Sequence, residues 1–300
     1  DGDLDIVAGN HGATDPGELN RLYLNDGSST FAQGAEISGS DAPWPMSLGL
    51  ADLDGDGDLD LLQGNYSWDI NRLYFNDGSG RFGSGIDIGI SSNDTHQLAL
   101  GDVDGDGDVD FVAGNDSEIN RLYLNQGGKQ GGTQGEFIGG DIGIEANDTK
   151  SVVLGDIDLD GALDLVVGNR DQPNRLHLND GNGNFGAGSD ISGSATTFAV
   201  ALADVDADGD LDLLSAVLGA ENRLYFNDDG TFRSPVHIGT GVNRTVSLAV
   251  ADVDADGDLD LVAGNRDSQK NRLYLNDGSG NFDAGTDITN DAKNTLSVAL

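Results

Sequence analysis

The sequence predicts an all-β fold, a six-bladed β-propeller of four-stranded antiparallel blades. Three observations carry that expectation. One phrase recurs six times in 300 residues. Its period is about 50 residues, and fixed self-similarity at such a period marks a solenoid or a propeller. Every copy holds short apolar runs of strand length between turn residues, and no segment shows a helical period of useful length. The copies are also cut unevenly. The last phrase, LSVAL at 296–300, is a strand with no loop behind it, and the chain opens at DGDLD on the second half of a loop.

Within a copy, strand A is the apolar stretch ahead of an aspartate run, as in SLAVA at 247–251 or LALG at 98–101. The aspartate run follows as an A–B hairpin: DLDGDGDLD from Asp52, DVDGDGDVD from Asp102, DIDLDGALD from Asp156, and DVDADGDLD from both Asp204 and Asp252. Strand B is a continuous apolar run such as LDLVVGN at 163–169. Strand C is NRLYLND from Asn20, with near copies from Asn71, Asn120, Asn174, Asn222 and Asn271. It alternates, with Leu on one face and Arg and Tyr on the other, as a half-buried strand does. A hairpin turn of the type NDGSG comes next. Strand D then runs from a phenylalanine (Phe31, Phe82, Phe137, Phe185, Phe232 or Phe282) to an isoleucine, as from Phe82 to Ile88. Four short antiparallel strands make one propeller blade. Kelch blades have a similar length, but their doubled glycines and tryptophan are missing. The strand at 296–300 can complete the first blade, which leaves no open sheet edge and makes residues 1–300 a single domain. A fragment of a seven-bladed ring or longer array is the alternative.

Five aspartates on alternate positions repel one another unless something holds them together. Calcium takes six to eight oxygen ligands. In D-x-D-x-D-G-x-x-D, side chains at positions 1, 3, 5 and 9 of a tight loop can converge, and the carbonyl at position 7 adds an oxygen. Glycine at position 6, Gly57 in the first full copy, permits the sharp turn. The expected ligand sets are therefore Asp52, Asp54, Asp56 and Asp60 with the carbonyl of Asp58; Asp102, Asp104, Asp106 and Asp110 with Asp108; Asp156, Asp158, Asp160 and Asp164 with Ala162; Asp204, Asp206, Asp208 and Asp212 with Asp210; and Asp252, Asp254, Asp256 and Asp260 with Asp258. Alanine at 162 fits a backbone role. The loop that opens the chain lacks positions 1 and 3 and keeps only Asp1 and Asp5, with the carbonyl of Asp3. About five calcium ions are expected, with the first loop empty or weakly filled.

These phrases resemble the FG-GAP or VCBS repeat family, whose blades also build integrin α-subunit heads, over essentially the whole chain. The resemblance implies a secreted or cell-surface β-propeller with calcium on its A–B loops. It also implies roles in adhesion, in lectin-like sugar binding, or as a companion to catalytic domains. One copy departs from the rest: Ala216-Val217 stands where the others have Gly-Asn after strand B, so that corner should be built differently.

The face opposite the aspartates is built from the variable B–C and D–A loops. Trp44 and Trp68 fall there in consecutive blades, with Tyr66 and His96 nearby and Lys150, Arg170, Arg244 and Arg266 in related loops. Exposed aromatics beside Asn and Asp suit sugar stacking and hydroxyl recognition, or a protein partner; loop packing is the plain alternative. The strand-C arginines, one per blade, are expected to pair with acidic or carbonyl groups between blades. Thr95, Thr149 and Thr245 complete Asn-x-Thr triplets and are read as turn caps rather than as parts of glycosylation sites.

A net charge of −38 repels DNA, RNA and anionic membranes. No apolar run approaches the ~18 residues that span a bilayer. There is no cysteine, initiator methionine or signal peptide, and the start inside a motif suggests a piece of something longer. The four histidines occupy different repeat positions, and no catalytic set is legible. The reading is a calcium-stabilised extracellular binding module for a glycan or a cell-surface protein, not an enzyme. A scaffold propeller within a larger secreted polysaccharide-degrading enzyme is the alternative. Oligomeric state is unknown.

Overall fold

Apolar runs between Asp-Gly turns fold as strands throughout the computed structural model, which describes residues 3–10, 19–28, 30–37, 44–89, 93–127, 133–290 and 292–299. Asp1 and Leu300, and the expectations resting on them, lie outside those residues. The described residues form nineteen strands and no helix. They fall into two compact units, Asp1–Ala146 and Asn147–Leu300.

In the first unit, β1 (Ile6–Ala8), β2 (Arg21–Tyr23) and β3 (Ala35–Glu36) form a three-stranded sheet in that order. Next come β4 (Pro45–Ala51), β5 (Asp60–Asn65), β6 (Asn71–Tyr74) and β7 (Ile86–Ile88), a complete four-stranded antiparallel blade. A third blade begins with β8 (Thr95–Gly101) and β9 (Asp110–Asn125) and ends in the start of β10 (Phe137–Gly155). The second unit holds the rest of β10, then β11 (Asp164–Gln172), β12 (Arg175–His177) and β13 (Ser189–Asp190). After these come β14 (Ala195–Ala203), β15 (Asp212–Tyr225), β16 (Val236–Ala251), β17 (Asp260–Asn265), β18 (Arg272–Tyr274) and β19 (Thr286–Asp287). The four-strand repeat is thus recovered, but some boundaries differ from expectation. Strands B and C run together in β9 and β15, and strands D and A run together in β10 and β16. In the second unit the fusion has a visible cause: β15 and β16 keep pairing past the blade itself, through Leu218 with Arg244 and Ala220 with Asn243.

The strand-C leucines and tyrosines face opposite sides of the strand, and both sides are covered: Leu73, Tyr74, Leu224, Tyr225 and Tyr274 are buried. Four of the arginines between them form ion pairs within their own blade, where pairing between blades was expected. Arg21, Arg72, Arg121 and Arg175 pair with Glu36, Asp87, Asp141 and Asp190 on strand D of the same blade. Arg21–Glu36 and Arg175–Asp190 are also directly opposite in the strand C–D ladder. Cross-strand adjacency, which the alternation of strand C already implied, decides the partner.

Each strand A carries a β-bulge near its start, at Thr95, Thr149, Thr197 and Thr245 and at Pro45. The bulge turns the threonine inward. The Oγ1 of Thr95, Thr149 and Thr245 donates to the Oδ1 of Asn115, Asn169 and Asn265 at 3.0, 3.0 and 2.8 Å. Each of those asparagines ends strand B. Its backbone N donates to the first asparagine of strand C, as Asn265 does to Asn271 at 3.0 Å. These threonines are therefore buried links between strands and not turn caps. In the fifth blade Val217 replaces the asparagine. The backbone bond to Asn222 survives at 3.2 Å. Thr197 Oγ1 and Asn222 Nδ2, however, are buried with no partner, so that corner is built differently in its side chains alone. Val217→Asn should restore the Thr197 link and raise unfolding free energy by about 1 kcal/mol, read from urea denaturation.

Glycine one residue before the end of strand B lets the next strand A approach closely. A Cβ on Gly168 would meet Thr197 Cγ2 at 3.1 Å and Val200 Cγ1 at 2.9 Å. Gly264 stands in the same relation to Thr295 and Val298, at 3.1 and 2.9 Å. Val298 N donates to Ser247 Oγ at 3.1 Å, as Val200 N does to Ser151 Oγ at 3.0 Å. Residues 294–299 form no strand, yet within the second unit they occupy the place of a strand A.

Candidate metal centre

The aspartate loops sit between strands A and B, and their shape comes from aspartates bonding their own backbone. In the first full loop Asp52 accepts from Gly55 N at 2.7 Å and Gly57 N at 3.2 Å. Asp54 accepts from Asp56 N at 3.1 Å, and Asp56 from Asp58 N at 2.9 Å. The position-6 glycines adopt φ between 93° and 103° in all five loops, and a Cβ there would meet nothing within 4 Å. Backbone conformation, not room, requires glycine. Position 4 is left-handed as well. It is Gly55 or Gly105 in two loops, but Leu159, Ala207 and Ala255 hold φ of 58°, 60° and 64° in the others. Sequence reasoning missed this second turn, although the alternation of Gly with other residues at position 4 was visible.

Position 9 is the anchor. Asp60, Asp110, Asp164, Asp212 and Asp260 are fully buried. Asp60 accepts from Leu53 N at 3.0 Å and from Asn76 N at 2.9 Å, and the other four repeat the arrangement. Burial pushes Asp60, Asp110 and Asp212 up from 3.8 to about 6, and the neighbouring loop carboxylates push the same way. Around this anchor, carboxylate oxygens of positions 1, 3 and 9 lie within 4.8 Å of one another in every full loop: Asp52, Asp54, Asp60; Asp102, Asp104, Asp110; Asp156, Asp158, Asp164; Asp204, Asp206, Asp212; and Asp252, Asp254, Asp260. The position-5 aspartates Asp56, Asp106, Asp160, Asp208 and Asp256 lie outside these sets and accept the N–H of position 7.

Such a set fits a hard cation. Oδ1 of Asp102, Asp156, Asp158 and Asp206 is sealed from solvent and has no hydrogen-bond partner. A buried carboxylate oxygen without a donor is costly, and a divalent ion satisfies it. In the first loop, Asp5 accepts from Asn25 N at 2.8 Å as a position-9 residue does. Among the described residues no set of three forms there.

The aromatic residues lie at the other end of β4 and β5. Tyr66 N donates to Trp44 O at 2.9 Å, which joins their loops. Trp68 is 67% exposed, in a left-handed conformation, with its N–H on Asp94 Oδ1 at 2.8 Å. Tyr66 Oη stands 3.4 Å from Asp116. His96 is half-buried in β8, two residues from Asp94. The structure therefore places Trp44, Tyr66 and Trp68 on adjoining loops beside two carboxylates. In the second unit the corresponding cations are paired. Buried Lys150 and Arg170 share Asp148, and Arg244 and Arg266 share Asp267.

Five stretches, 1–63, 102–167, 156–215, 204–263 and 252–300, match the FG-GAP-like repeat. No curated protein sequence matches the chain. Among solved structures, a lectin of Agrocybe aegerita, described by its specific recognition of non-reducing terminal N-acetylglucosamine, gives a TM-score of 0.65 at 19% identity. The match covers 97% of this chain and 81% of the lectin. BBS1N, crystallised in complex with ARL6DN, gives 0.57 at 13% identity over 91% of this chain and 77% of its own. Identities this low show a shared fold alone.

Proposed function

Because the chain belongs to the FG-GAP-like repeat family, we propose that it is a calcium-stabilised extracellular β-propeller that binds a glycan and does not catalyse. Its six blades close into a ring through residues 296–300, and about five calcium ions sit at the loops from Asp52, Asp102, Asp156, Asp204 and Asp252. The carboxylate sets and their unpartnered buried oxygens support the calcium half of this reading. Extracellular calcium modules bind at about 10⁻⁴ to 10⁻³ M, so an extracellular setting would keep such loops filled.

The observation that carries the binding half is Trp68, two-thirds exposed and held by its own backbone beside Asp94. A large apolar ring fixed in solvent next to carboxylates offers a sugar a stacking face and hydroxyl acceptors at once. The face lies at the far end of strands whose other end carries the aspartate loops, so the ion would order the blade without touching the sugar. Similarity to a lectin supports the choice of a glycan over a protein partner. A glycan array that includes terminal N-acetylglucosamine tests it. Selective binding is expected, and Trp68→Ala should weaken it at least about tenfold, roughly 1.4 kcal/mol, with an unchanged melting temperature. A folded protein that binds no glycan, or whose binding ignores Trp68→Ala, would contradict the reading.

A further inference from the structure

Two loops of this chain share one backbone and carry opposite chemistry. In the blade of β4–β7, Tyr66 N donates to Trp44 O at 2.9 Å. Ser67 and Trp68 are both left-handed at φ 65°, and Trp68 N donates to Asp94 Oδ1 at 2.8 Å. In the second unit, Arg266 N donates to Arg244 O at 3.0 Å. Asp267 and Ser268 are left-handed at 58° and 60°, and Ser268 N donates to Asn294 Oδ1 at 3.1 Å. The frame is the same and the side chains are exchanged. Arg244 stands for Trp44, Arg266 for Tyr66, Ser268 for Trp68 and Asn294 for Asp94. An aromatic and acidic surface in the first unit is thus a cationic one in the second.

Asp267 holds two guanidiniums together. Its Oδ2 pairs with the Nε of Arg244 and, at 3.5 Å, with the Nε of Arg266. Among the described residues no other carboxylate pairs with either arginine, so one positive charge is unmatched. Both Nε atoms are sealed from solvent without a hydrogen-bond partner, while the side chains as a whole are 43% and 30% exposed. With Nε turned to Asp267, the fork of amino groups beyond it is left for a ligand. Arg266 is also fixed in orientation, its Cζ 4.9 Å from the centre of the Phe198 ring. A guanidinium stacked on a ring keeps its edge N–H groups for hydrogen bonds. Gln269 Oε1 accepts from Arg244 N at 2.6 Å. The backbone of Gln269 pairs with that of Lys293, an exposed cation with no ion pair among the described residues.

We infer that this loop cluster is a second ligand site, for a sugar bearing a single oxyanion, a carboxylate or a sulfate ester. Two guanidinium forks gathered at one point suit such a group, which accepts two N–H bonds at once. The anion also balances the like-charge pair that Asp267 alone leaves unmatched. Ser268 and Asn294, both exposed, then offer a hydroxyl and an amide N–H to the sugar's own hydroxyls. A polyanion is the wrong ligand, because the chain's net charge of −38 repels it. The sugar half of this inference rests on the glycan reading; the anion half does not.

The test is isothermal titration calorimetry of the 300-residue protein in millimolar calcium with D-galacturonate, galactose 6-sulfate, galactose, acetate and inorganic sulfate. Saturable binding of galacturonate or of the sulfated sugar is expected, at least about tenfold tighter than that of galactose or of either free ion. The arm that binds names the oxyanion. Arg244→Gln and Arg266→Gln should each weaken it at least about tenfold, and circular dichroism checks that the variants fold. In the wild-type protein the bound sugar should protect Arg244 and Arg266 from phenylglyoxal, read by peptide mass spectrometry, which needs no variant. Failure of both acidic sugars to bind, free ions binding as tightly as the sugars, or binding that leaves the two arginines unprotected would overturn the site. Trp68→Ala should leave this binding unchanged, and its loss there would overturn a separate site. Neutral-glycan binding that survives Arg266→Gln and fails in Trp68→Ala belongs to the Trp68 reading alone, so the two stand or fall separately.

Discussion

Chelating calcium is expected to lower the melting temperature by roughly 10 °C or more. An ion that binds only the folded state at a hundredfold over its Kd adds about 2.7 kcal/mol per site, and 1 kcal/mol moves the midpoint of a large domain by about 2–4 °C. The cause is the crowding of three carboxylates within 4.8 Å in each full loop. Without an ion, protons are the only remedy, which fixes the sign of the pH dependence. Asp60, Asp110 and Asp212 are raised from 3.8 to about 6 in the folded protein by burial and by the carboxylates beside them. A raised carboxyl contributes stability that is full below pH 3.8 and lost as pH rises through about 6. The calcium-free protein should therefore melt higher at pH 5 than at pH 7. The calcium-loaded protein should show the reverse, because protons compete with the ion. Differential scanning calorimetry at the two pH values, with and without chelator, reads all four cases.

Asp212→Ala should destabilise the calcium-loaded protein by about 4 kcal/mol, and Asp208→Ala in the same loop by only about 1 kcal/mol. The two residues look alike in the repeat. Asp212 is fully buried and accepts the N–H of Val205 and of Asn227. Its loss strands two buried donors, at about 1–3 kcal/mol each, besides removing an ion ligand. Asp208 is exposed, lies outside the three-carboxylate set, and accepts the N–H of Asp210. In chelator the Asp212→Ala penalty should shrink but persist, since the two donors are stranded with or without an ion. Urea denaturation of the three proteins separates the contributions.

The blade order was legible because four strands, two turns and one loop recur with the same residues at the same offsets. The aspartate loops were legible for the same reason. Alternation in strand C told which residues share a face, but not that both faces are covered: adjacent Leu73 and Tyr74, and Leu224 and Tyr225, are all buried. What escaped were features that depend on three dimensions. The threonine at the head of strand A reads as a local cap until the bulge beside it turns the side chain toward an asparagine twenty residues on. Arg21, Arg72, Arg121 and Arg175 reach strand D of their own blade because a cross-strand neighbour lies close at hand. Positive φ at loop position 4 is hidden when alanine or leucine fills it. Trp44, Tyr66 and Trp68 were singled out by residue type, but only the backbone bonds that join their loops make them one surface.

Anomalous X-ray scattering from crystals grown in calcium shows whether the aspartate loops are calcium sites. Five strong peaks per chain are expected, each enclosed by the aspartates at positions 1, 3 and 9 of the loops starting at Asp52, Asp102, Asp156, Asp204 and Asp252, and little or none beside Asp5. Ordered loops with no anomalous density, or ions bound anywhere other than among those carboxylates, would contradict it.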